Sequence, residues 1–168
     1  SPTINTGVIV APNGATSTGL AITKRVTFTE DATSTAHTGT VAVPAGAWIH
    51  SIEITSSVLW TAAAAVMKVG DTADDDGFFT GVDLKATDLL VGEVLSTDDT
   101  TRWGGKNGAY LVSASGRRGP VATNFAQYYS AGSNIVGVIT VTTPATTDGR
   151  TYMIVTYSVG EAIAAVAS

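Results

Sequence analysis

The densest set of chemistry-bearing side chains is the acidic run Asp71-Thr72-Ala73-Asp74-Asp75-Asp76-Gly77. Closely spaced carboxylates beside a glycine suit calcium, a hard cation that takes roughly six to eight oxygen ligands. Asp71, Asp74 and Asp76 are the residues that would supply them. The spacing departs from the helix–loop–helix calcium frame, however. With Gly77 at the glycine position, Thr72 falls where the first Asp belongs and no Glu stands at the twelfth place. Asp and Gly also favour surface turns for backbone reasons alone. The run therefore reads first as a solvated turn and second as a calcium site, and no other cofactor is expected.

Other constellations are weaker. His37 lies in a Thr-rich stretch that reads as a loop, and His50 falls in an alternating strand on the face of Trp48 and Ile52. No Gly-x-Ser-x-Gly elbow accompanies them, so a hydrolytic triad has no sequence support. Nothing in the spacing of Glu30, Glu53, Glu93 and Glu161 brings two carboxylates together as a glycosidase requires. Gly104-Gly105-Lys106-Asn107-Gly108 lacks the ending of a phosphate-binding loop and reads as a turn. Asp98-Asp99 with Trp103 is a combination that can hold a sugar, although a loop with a buried tryptophan is the commoner use. The basic pair Arg117-Arg118 suits a contact to an acidic neighbour. The expectation is a protein that is not an enzyme.

The elements that must position these residues are strands. Val26 and Phe28 share one face of a first strand, and Val41 and Val43 share one face of the next, which Pro44-Ala45-Gly46 ends. Trp48 to Ile54 alternates with His50, Ile52 and Ile54 on one face and Ile49, Ser51 and Glu53 on the other. Val66 to Gly70 is a strand running into the acidic turn, and Tyr110-Leu111-Val112 a short one. Asn134 to Thr143 carries Ile135, Ile139 and Val141 on one side and Val136 and Val138 on the other. Thr151 to Ser158 sets Tyr152 and Ile154 against Met153, Val155 and Tyr157. Between these two, Pro144 to Gly149 carries Asp-Gly turn chemistry and predicts a hairpin that sits in mid-sheet or under a partner. Only Val82 to Leu95 reads as helical, and Gly92 weakens that reading. The fold class is all-β: a β-sandwich of jelly-roll type with an extended N-terminal arm. The arm covers residues 1–22, the sandwich 23–159 and a C-terminal tail 160–168. The arm reads equally as a disordered terminus or as a segment lying along a neighbouring subunit, against which Ile4, Val8, Ile9, Val10, Leu20 and Ile22 could be buried.

Composition bounds the partners. The 168 residues suffice for one domain with a real core. Charged residues make up 14%, against the usual ~25%. Thr, Ser, Ala and Gly take their place, which predicts a surface partly covered by copies of itself, as a dimer or trimer, or by another protein. With a net charge of −5 and no basic cluster beyond Arg117-Arg118, no nucleic-acid partner is expected. No signal peptide is read at Ser1-Pro2-Thr3, and the longest weakly polar run, Val58 to Met67, is too short for a bilayer, so no membrane partner is expected. The absence of cysteine excludes disulfides.

Three segments together resemble small structural proteins of tailed phages. These are Val43-Pro44-Ala45-Gly46-Ala47-Trp48-Ile49, the strand–turn–strand Val66 to Phe79 with its Val-Gly-Asp and Gly-Phe junctions, and the closing Thr147 to Tyr157. The resemblance spans residues 24–158 and omits the arm. It implies a jelly-roll-like fold and a capsid decoration or cement protein, bound to the major capsid protein on the outer surface of the virion after synthesis in the host cytoplasm. A tail or head-fibre component that recognises a receptor or glycan is the alternative, with Trp60, Trp103, Tyr128 and Tyr129 as candidate binding aromatics.

Overall fold

The computed structural model describes residues 9–10, 16–17, 21–85, 87–97, 106–111, 128–145 and 147–159. Eleven strands are formed: β1 (Ile9–Val10), β2 (Thr16–Ser17), β3 (Ile22–Thr29), β4 (Ala36–Val43), β5 (Ala47–Val58), β6 (Ala64–Gly70), β7 (Phe79–Asp83), β8 (Val94–Ser96), β9 (Tyr128–Tyr129), β10 (Ser133–Thr142) and β11 (Arg150–Val159). No described residue is helical.

Eight of the strands fold in half. β3 pairs with β11, β4 with β10, β5 with β8 and β6 with β7, all antiparallel. This nesting of first with last produces two four-stranded layers, β3-β11-β5-β8 and β4-β10-β6-β7, with β9 added to β5. It is the strand order of a jelly roll. β1 and β2, both within the segment read as an arm, form a separate antiparallel ribbon.

Alternation builds the core. Val41, Val43, Ile52, Ile54, Met67, Val69, Ile135, Ile139, Val141, Met153 and Val155 point between the layers and are buried. Each such side chain contributes about 1.5–3 kcal/mol on burial. A pair of facing glycines adapts the layers to one large ring. Gly39 and Gly137 are cross-strand partners, and a Cβ on either would lie within 2.9 Å of the Phe28 ring.

Four expectations are corrected. The strands flanking Pro144–Gly149 do not form a hairpin, because β10 lies inside one sheet and β11 inside the other. Asp-Gly chemistry specifies a reversal but not the layer to which the chain returns. Val82–Leu95 is not helical: Asp83 Oδ1 accepts from Lys85 N at 2.6 Å, Asp88 Oδ2 accepts from Asp83 N at 2.8 Å, and Gly92 has φ +80°. Such side chain–backbone bonds compete with helical ones. Tyr110 and Leu111 lie in a turn tied by Tyr110 N to Gly77 O at 2.8 Å. Finally, the register between β5 and β11 slips at His50, so Ile52 and Ile54 face inward while Trp48 and His50 face solvent.

Candidate interaction surface

Two buried carboxylates hold the loops at the two ends of the sandwich. Glu30, 1% exposed, follows β3. Its oxygens accept from Ala62 N at 2.8 Å, Thr61 N and Oγ1 at 3.0 Å each, and Gly149 N at 3.1 Å. One side chain thus joins the β3 end, the β5–β6 loop and the crossover into β11. Beside it Trp60 Nε1 donates to Thr151 Oγ1 at 2.8 Å, and Thr151 meets Ser56 at the same distance. At the opposite end Asp71, 7% exposed, accepts through Oδ1 from Ala73 N, Asp74 N and the Tyr110 hydroxyl. Its Oδ2 accepts from the Tyr129 hydroxyl at 2.8 Å. Asp71 therefore binds the β6–β7 turn to the loop at 106–111 and to β9 of the other layer.

Both sites favour the anion. Burial pushes each carboxyl up, but the amide and hydroxyl donors outweigh it and hold Glu30 and Asp71 below their ordinary values. Burial, reinforced by the Asp71 carboxylate, pushes the hydroxyls of Tyr110 and Tyr129 well above the usual phenol range.

Of the candidate calcium ligands, Asp71 is turned inward onto these four donors. The carboxylates brought within 4.8 Å of one another are those of Asp74, Asp75 and Asp76. The Lys68 ammonium lies 3.5 Å from Asp75 and 3.6 Å from Asp76. The ammonium offsets part of this turn's negative charge.

The remaining candidates disperse. His37 lies on β4 rather than in a loop, edge-on to Trp60 at 5.0 Å, and its buried Nε2 has no hydrogen-bond partner among the described residues. His50 is exposed and bonds through Nε2 to Ser158 Oγ at 2.8 Å. Glu53 faces outward in mid-sheet, and Glu93 accepts from Leu90 N. Trp60, Phe78, Phe79, Tyr129 and Tyr157 are core. Ile22 opens β3 and is exposed, and Ile9 and Val10 form β1. Ile4, Val8, Leu20, Asp98, Asp99, Trp103, Arg117, Arg118 and Glu161 lie outside the described residues.

The exposed large hydrophobic side chains, Ile22 on β3 apart, gather in two places at the two ends of β5. Trp48 and Tyr128, cross-strand partners on β5 and β9, stack with ring centroids 4.6 Å apart. At the other end of β5, Val58, Leu90, Val91 and Val94 are each 40–56% exposed. Val94 pairs with Thr55, Val91 bridges Ser56 and Val58 stands two residues on, so the four form one patch. Val58 and residues 90–94 are far apart in sequence and meet only where β8 pairs with β5, so no local pattern marks this surface.

The architecture has counterparts among solved structures. A chain of the cyanophage Pam1 capsid asymmetric unit aligns over 95% of this chain and 100% of its own length, with 20% identity and a TM-score of 0.55. A chain of the acidic stable capsid structure of Helicobacter pylori bacteriophage KHP30 aligns over 85% and 90%, with 12% identity and a TM-score of 0.48. No protein-family model and no curated protein matches the sequence. At these identities the Pam1 likeness is one of fold.

Proposed function

We propose that this chain is a non-enzymatic structural protein of a tailed-phage virion, a decoration or cement protein seated on the outside of the head and bound to the major capsid protein. The observation that carries the reading is end-to-end correspondence with one chain of a phage capsid asymmetric unit, covering 100% of that chain. The surface chemistry supports it. Sparse charge and a clustered aliphatic patch suit permanent burial against protein. No charged side chain precedes Lys24, so the N-terminal segment with Ile4, Val8, Ile9, Val10 and Leu20 can be buried against a neighbour without desolvating an ion. The buried carboxylates are committed to loop amides and hydroxyls, an arrangement that stiffens a scaffold. Modest contacts repeated over a lattice then add through avidity.

The exposed Trp48–Tyr128 stack favours one second reading, a tail or fibre component that binds a glycan on those rings. Cosedimentation of the purified protein with heads, and separately with tails, of its phage distinguishes the two. Saturable binding to heads is expected. Binding to tails alone, or to neither, contradicts the cement reading.

A further inference from the structure

The aliphatic patch at the β5–β8 corner has a charge on either side of it. Arg150, exposed, stands opposite Val58 on β11 and borders the patch toward the middle of the sheet. Glu93 borders it on the β8 side, in the turn that joins Val91 to Val94, where it accepts from Leu90 N at 2.9 Å. In strand order the surface therefore runs from Arg150 on β11, across Val58 on β5, to Glu93 in the turn before β8 among Leu90, Val91 and Val94. Such an order is self-complementary under a two-fold axis through the patch, which sets the Arg150 of one copy against the Glu93 of the other.

The four side chains are each 40–56% exposed and would form an apolar centre, with Thr55, Ser57 and the two charges as a polar rim. β8 itself, Val94-Leu95-Ser96, carries none of the lysines or prolines that usually guard an edge strand.

We propose that this corner is the contact between two copies of the chain, a two-fold dimer centred on Val58, Leu90, Val91 and Val94 with reciprocal Arg150–Glu93 pairs at its rim. The inference does not rest on the capsid reading, because it is decided by the free protein in solution.

Sedimentation velocity over a dilution series of the full chain tests it. The wild type is expected to dimerise reversibly. Val91→Asp should leave it monomeric with an unchanged melting curve, and Leu90→Asp serves as a second variant if the first unfolds. Arg150→Glu and Glu93→Arg should each weaken the dimer by about tenfold, and the double reversal should bring the affinity back to within about threefold of wild type. A wild type that stays monomeric, or that forms trimers, overturns the proposal. So does a dimer that survives both aspartate variants, or a double reversal no tighter than the single ones.

Discussion

At the scale of single residues, two anions order a chain that carries few charges. Glu30 gathers donors from two separate stretches and Asp71 from three, so removing either charge leaves several buried groups poorly paired. Glu30→Gln and Asp71→Asn should each destabilise the fold by about 1–3 kcal/mol, read as a lower midpoint in urea at neutral pH. The pH dependence follows in sign. Both carboxyls are held below their unfolded values, so their contribution is complete above the unfolded carboxylate pKa of about 4 and is lost as pH falls through the lower folded values. Melting temperature against pH should therefore drop steeply in acid for the wild type and less steeply for each variant. Parallel curves would show that the charges do not carry this stability. Neither residue stands out in the sequence, since Asp71 resembles its exposed neighbours and Glu30 is an isolated acid at a strand end.

At the scale of elements, alternation was legible and pairing was not. The inward sets Val41/Val43, Ile135/Ile139/Val141 and Met153/Val155/Tyr157 follow from a period of two and are the buried sets in the fold. The partner of each strand depends on contacts distant in sequence, so β10 and β11 look like a hairpin although they lie in different layers. A one-residue slip is invisible to a period of two, which is how the slip at His50 exposes Trp48 and His50 while Ile52 stays inside. The Gly39–Gly137 pair was equally hidden, because glycine in a strand usually signals weakness rather than room for a ring. Gly39→Ala, against Val26 and Phe28, and Gly137→Ala, against Phe28 and Met67, should each cost about 1–3 kcal/mol through overpacking, and Phe28→Leu in the Gly137→Ala chain should recover part of that loss. Equal melting temperatures for wild type and alanine variants would contradict this packing. Amide exchange should be slowest in β10 and β11, each paired on both sides, and faster in the short strands β8 and β9.

At the scale of the whole molecule, composition indicated a covered surface but not its location. The aliphatic corner assembles from Val58 and from residues 90–94, which meet only after β8 pairs with β5. The Trp48–Tyr128 stack likewise needs β9 to cross from a distant part of the chain. The phage resemblance rested on turn and strand junctions, and those junctions are where the jelly roll turns its corners: Pro44-Ala45-Gly46 between β4 and β5, and the Asp71 turn between β6 and β7.

The proposed role is to reinforce a phage shell from outside. Heads of its phage stripped of this protein should be heated with and without added purified chain while DNA release is followed. A saturable rise in the temperature of release is expected as the protein is added. Unchanged release at saturating protein, with the chain left in the supernatant, would contradict it.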